Sequence, residues 1–192
     1  MSMAGVIHTT LTKLCSKESP DSLSAIVKQK APAYSLDPRL VACIIYQESG
    51  GDEEAFRFED EFFDRHYLDY LSTPPRKQRK ELAGYVPVFP PSLRSELRAR
   101  AASWGVMQIL GETARVVGFD ARYLPSCRKT EINVELGCKF LRRLFDKAAT
   151  LHPDWTEQRT LTLVLTWWNG SEEYPPLIFE HMRKEKWRAI LL

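Results

Sequence analysis

Glu48 closes a short apolar helical stripe and is followed at once by Ser49-Gly50-Gly51, a run that stops a helix and reverses the chain. Asp37-Pro38 reads as an N-cap with proline in the first turn, and Val41, Ile44, Ile45 and Glu48 then fall on one face at helical spacing. A carboxylate is thereby set in line with core residues. Partial burial and the negative end of the helix dipole both disfavour its ionised form, so its proton is expected to be held to higher pH than in a free side chain. That is how a general acid is prepared. The competing reading is a solvated last-turn glutamate with no chemistry, the commoner fate of helix-end acids.

Three segments in order change that balance: Gln47-Glu48-Ser49-Gly50, then Ser103-Trp104-Gly105-Val106-Met107-Gln108-Ile109, then Trp167-Trp168-Asn169-Gly170-Ser171. They resemble the lysozyme-like lytic transglycosylases and the related phage endolysin-type muramidases. Those families share a Glu-Ser pair ending a helix, a Gly-aliphatic-Met-Gln-aliphatic segment and a Tyr-Asn-small segment. Gly111-Glu112-Thr113-Ala114 with Gly118, and Ile132-Asn133-Val134-Glu135-Leu136-Gly137, are lesser matches, and the whole resemblance spans roughly residues 36 to 175. Trp168 stands where the family usually has tyrosine, which puts any role needing a phenolic hydroxyl in doubt.

The resemblance implies cleavage of the β-1,4 bond between N-acetylmuramic acid and N-acetylglucosamine in peptidoglycan, with Glu48 as proton donor. Gly105 would allow close backbone approach, and the Gln108 amide would hydrogen-bond a sugar or orient the acid. Asn169 would be a further polar contact and Trp168 a stacking surface for a pyranose. Trp167 is expected in the core, and Met107 to serve packing. Ser49 and Ser103 are read either as substrate contacts or as capping and turn hydroxyls.

A second carboxylate would decide the reaction subtype. Between the first two motifs lies an insertion rich in acids, most of them read as a solvated face. Glu59 is singled out as a second catalytic candidate because Phe56, Phe58, Phe62 and Phe63 surround it, and a carboxylate among aromatics is costly unless paired or used. Arg57 or Arg65 could pair with it for purely structural reasons. At about 6.5–9.5 Å from Glu48 it could activate water and give an inverted, hydrolysed product. With no second acid in reach, the resemblance implies the family's other route, in which the substrate's own N-acetyl or 6-hydroxyl group completes the reaction and leaves a 1,6-anhydro end. Two rivals remain: a non-catalytic wall-binding or virion-structural module of lysozyme shape, and a chitinase-like hydrolase.

The elements that must position these residues are nearly all helical, which predicts a mainly α, lysozyme-like domain with a small β or loop lobe. An amphipathic region from Met3 to Lys30, broken at Ser19-Pro20, precedes the Glu48 helix, and an acidic segment runs on to Ser72. Further helices are predicted over Ser92–Ala102, Glu112–Val117, Asn133–Ala149, Glu157–Trp168 and Pro176–Ile190. In the Asn133–Ala149 helix Leu136, Phe140 and Leu144 stack on one face. Strand signals are confined to Tyr85–Phe89, with Val106–Ile109 extended beside it. The organisation read from this is a helical extension over residues 1–35 packed on a catalytic domain over residues 36–192.

Composition agrees. A chain of 192 residues that is 44% hydrophobic and 11% aromatic can bury one core. A net charge of +2 is too small and dispersed to argue for nucleic acid, and Arg76-Lys77-Gln78-Arg79-Lys80 reads as a solvated basic helix start. The expected partner is the glycan strand of bacterial peptidoglycan, met by a monomer, without nucleic acid or membrane insertion. Met1 to Lys13 lacks the pattern of a secretory signal, so delivery to the wall is expected through phage lysis or as part of a virion. No cofactor is expected. Cys15, Cys43, Cys127 and Cys138 include no Cys-x-x-Cys pair, which argues against zinc. Cys43 reads as a small apolar core residue, and the spacing leaves open whether Cys127 and Cys138 pair.

Overall fold

The computed structural model describes residue 19 and residues 21–72 and 82–192. The expectations for residues 1–18, Cys15 included, and for Arg76-Lys77-Gln78-Arg79-Lys80 lie outside the described residues. The fold is mainly α with one small sheet, as a lysozyme-like domain requires.

Helix α1 (Leu23–Ala33) begins where the Ser22 hydroxyl accepts from the Ala25 N–H, and α2 (Pro38–Glu48) where the Asp37 carboxylate accepts from the Arg39 N–H. Every residue of α2 from Leu40 to Ile45 is buried, so this helix is the centre of the core rather than one of its walls. Each such aliphatic side chain contributes about 1.5–3 kcal/mol by leaving water, which fixes the helix, and with it Glu48, firmly in place.

The chain then enters the β lobe. Strand β1 (Phe56–Phe58) leads to α3 (Asp60–Phe63), a π-helical turn (Asp64–Leu68) and α4 (Asp69–Ser72). Helix α5 (Pro90–Arg100) returns to β2 (Ala102–Trp104) and β3 (Ile109–Leu110), followed by α6 (Gly111–Val116). The three strands pair antiparallel in the order β1-β2-β3, with Arg57 opposite Ser103 and Trp104 opposite Ile109. Tyr85–Phe89 is not a strand: Pro87 has no N–H for a ladder, and Val88 and Phe89 are 90% and 72% exposed. The stretch Val106–Gln108, expected to be extended, is the turn between β2 and β3. It is bounded by positive φ at Gly105 (68°) and Gln108 (45°).

A 3-10 turn (Leu124–Arg128) introduces α7 (Thr130–Leu151), which lays Val134, Leu141, Leu144 and Ala148 into the core. Helix α8 (Glu157–Asn169) packs on it and ends at Gly170 in the left-handed conformation that a C-terminal cap needs. The last predicted helix starts earlier than Pro176 and is interrupted. It runs as α9 (Tyr174–Arg183), breaks at Glu185 with φ 54°, and resumes as α10 (Arg188–Leu191). Cys43, Cys127 and Cys138 are buried free thiols. No described helix is long and apolar enough to cross a membrane.

Beside the main core, a smaller cluster of Tyr67, Leu97 and Ala101 sits on a buried ionic network. Glu96 accepts from both Arg100 and Arg115, whose side chains are fully buried, and Arg100 also reaches Glu112, on which Tyr67 donates at 2.5 Å. Arg100 further donates to the carbonyls of Ala83 and Tyr85, and Arg115 to those of Phe119 and Ala121. Two charges of each sign close on one another, which is the condition under which burying them is tolerable.

Candidate active site

A cleft of about 700 Å³ separates the helical body from the β lobe, and Glu48 lines it. The body side carries Glu48 from α2, Phe140 from α7 and Trp167, Trp168 and Asn169 from α8. The opposite side carries Arg57, Glu59, Asp60, Glu61, Phe62 and Arg65 from β1 and the helices after it. Ser103, Gln108, Ile109, Leu110 and Thr113 complete it.

Glu48 is half-buried, and one of its oxygens, Oε1, accepts two hydrogen bonds. The Trp168 indole Nε1–H donates at 3.1 Å and the Tyr174 hydroxyl at 2.6 Å. Burial pushes the carboxyl above its ordinary range. The two hydrogen bonds and the positive charge of Arg57 pull the other way, and the negative charge of Glu59 adds to the rise. The net direction is upward, so Glu48 retains its proton longer than a solvated glutamate does. Burial also drives the Tyr174 hydroxyl far above its usual range, leaving it a permanently neutral donor.

Glu59 reaches the same cleft, and its environment is ionic. Its Oε1 accepts from Arg57 Nε at 2.7 Å and from Ser103 Oγ at 2.8 Å, which straps β1 to β2. The alternation along a strand explains the grouping: Arg57 and Ser103 share the cleft face, while Phe56, Phe58, Ala102 and Trp104 face away. Of the four phenylalanines that singled Glu59 out, only Phe62 lines the cleft.

The Gly-Val-Met-Gln turn is held from behind. Asn133, fully buried, accepts from the Met107 N–H at 2.8 Å and donates to the Trp104 and Cys127 carbonyls at 2.8 and 3.1 Å. Gly105 has no room for a side chain, since a Cβ would lie 2.7 Å from the Arg128 carbonyl oxygen. At Gly137 of α7 the space that a Cβ would need is taken by the sulfur of the buried Met107 side chain. Ser49 donates to the Val106 carbonyl at 2.8 Å and accepts from the Gly51 N–H at 3.0 Å, so it ties the end of α2 to this turn. The Gln108 amide donates to the Gly105 carbonyl at 3.0 Å while its side chain borders the cleft.

The cleft therefore brings together Glu48, Glu59, Ser103, Gln108, Trp168 and Asn169. Gly105, expected among the substrate contacts, stands behind that lining and builds the turn, and Ser49 matches its reading as a capping and turn hydroxyl. Trp167 packs against the main core, as expected, and also borders the cleft, with the Lys147 ammonium 4.4 Å from its ring centroid. Tyr174 was missed altogether. The signal available was the phenol absent at Trp168, which the chain supplies from the first residue of the next helix instead. Among the described residues, no group of histidines, cysteines and acids is arranged to hold a metal ion.

A family model described as the Transglycosylase SLT domain matches residues 25–170. No curated protein and no solved structure gives a match.

Proposed function

From a chain that belongs to the Transglycosylase SLT domain family, whose members cleave glycosidic bonds in peptidoglycan, we propose a specific reaction in which Glu48 is the only acid and base. The bond cut is the β-1,4 linkage between N-acetylmuramic acid and N-acetylglucosamine. Protonated Glu48 gives its proton to the glycosidic oxygen as the C1–O bond breaks and the muramyl ring takes on oxocarbenium character. The resulting carboxylate then accepts the proton of the same sugar's 6-hydroxyl while that oxygen bonds to C1. The products are a free 4-hydroxyl and a 1,6-anhydromuramyl end, and Glu48 is protonated again.

The observation that carries this reading is the Glu48 carboxyl at the cleft, raised in proton affinity by burial and gripped by Trp168 and Tyr174. Those two donors prefer the ionised form, so they also stabilise the carboxylate that appears once the proton has left. Glu59 serves as the organiser of the β lobe: one oxygen takes both Arg57 and Ser103, and its charge helps keep Glu48 protonated. Gln108, Asn169 and the faces of Trp167 and Trp168 bind the sugars.

Mass spectrometry of digested wall tests bond and mechanism together. The expected muropeptides are lighter by one water than hydrolytic products, and Glu59→Gln is expected to keep that product with a modest loss of rate. The second reading, hydrolysis with Glu59 as base, rests on the two carboxylates bordering one cleft. Ordinary reducing ends from the wild type, with Glu59→Gln as inactive as Glu48→Gln, would establish it instead.

A further inference from the structure

The face of the sheet turned away from the cleft has its own pocket, about 570 Å³, within the range of small-ligand sites. Phe56, Phe58, Phe63 and Trp104 form its floor with Ala99 and Ala102, and Asp60 and Arg98 stand at it as an anion and a cation. Phe56 is 56% exposed, a large aromatic left to water where a three-residue strand could carry any polar side chain. The rings do not form a flat platform. Phe56 is tilted 58° to Trp104 at 4.8 Å, and Phe58 is tilted 46° to Phe63 at 5.7 Å. Such a cup suits small branched groups such as methyls better than the broad face of a pyranose, which asks for a single ring to stack on.

Asp60, just past the end of β1, borders both this pocket and the catalytic cleft, so the two meet at one side chain. A glycan strand seated in the cleft carries, on the lactyl group of each muramic acid, a short peptide that combines alanine methyls with free carboxylates and an ammonium group. We propose that this back-face pocket is the binding site for that stem peptide. The alanine methyls enter the aromatic cup, Arg98 takes a carboxylate and Asp60 the ammonium. The proposal rests on the peptidoglycan-cleaving reading and assigns the β1–β2 sheet a second, substrate-selecting face.

The test compares two substrates: glycan strands bearing their stem peptides, and the same strands stripped of them by an amidase. Wild type is expected to cleave both and to prefer the peptide-bearing form. Phe56→Ala and Arg98→Ala, both changes at exposed side chains, are expected to lower kcat/KM on peptide-bearing strands about tenfold, the effect of one or two lost contacts. Cleavage of stripped strands should not change. A synthetic stem pentapeptide titrated into the wild type should perturb Trp104 in tryptophan-indole NMR spectra, and Phe56→Ala should abolish the effect. Equal losses on both substrates, no loss on either, or perturbation of Trp104 by peptide-free glycan instead of the pentapeptide would each overturn the proposal. A wild type that cleaves neither substrate would instead refute the activity itself.

Discussion

In the proposed reaction Glu48 donates a proton and then recovers one, and its surroundings split the stabilisation of the two states between burial and two neutral donors. Glu48→Gln keeps the shape and removes the transferable proton, so turnover on purified wall should fall by at least about 10²–10⁴-fold with circular dichroism unchanged. Its stability should carry the opposite sign. A carboxyl whose folded pKa is raised holds a proton that the unfolded chain has released, so stability falls as pH rises from the ordinary carboxylate range through the raised value. The glutamine variant has no such group. Denaturant titration should find it more stable than wild type at neutral pH, with the gap closing on acidification. Tyr174→Phe deletes a bond that favours the carboxylate, so the basic limb of the kcat/KM profile should move to higher pH while the rate drops. A limb that moved lower would show that the hydroxyl had been acting on something else.

Single residues work here because short elements hold them, and those elements were unevenly legible. Helix α2 could be read from end to end, since Asp37-Pro38 starts it, a local apolar stripe fills it and Gly50-Gly51 ends it. The strands could not. Phe56–Phe58 and Ile109–Leu110 are too short to show an alternation, and their pairing is set by partners far along the chain, whereas the longer apolar run at Tyr85–Phe89 pairs with no strand among the described residues. Tyr174 was invisible for a related reason: nothing local to Glu172-Glu173-Tyr174-Pro175 says that its hydroxyl meets α2. Asn133 marks where motif and support meet. Asn133→Ala would leave the Met107 N–H and the Trp104 and Cys127 carbonyls without the partner that now serves all three. A loss of about 2–4 kcal/mol in urea unfolding is expected from groups left unsatisfied in this way. Activity should fall too, because the turn carrying Gln108 loses its anchor. Wild-type activity per folded molecule would assign Asn133 to stability alone.

At the scale of the whole molecule, two bodies must keep one gap between them. The β-lobe side is fastened by the buried charges around Glu96, which tie α5, α6 and, through Tyr67, the helices bearing the cleft's Arg65 and Phe62 into one unit. Glu96→Ala takes from the buried Arg115 the carboxylate it pairs with and leaves the buried Arg100 with Glu112, and should cost about 3–5 kcal/mol by equilibrium denaturation. A cost near that of an exposed ion pair would mean that water had entered the network. The body side is joined across long stretches of chain: Glu48 finds its two donors 120 and 126 residues further on. During vectorial synthesis, α2 leaves the ribosome long before either donor does. The nascent chain thus carries Glu48 with no indole or phenol to hold it until α8 and the start of α9 have emerged and docked, and in the proposed reaction its carboxyl is untuned until then. A chain released at Gly170 would span the matched family domain and still lack Tyr174, so a stalled or clipped product would hold Glu48 with one donor in place of two.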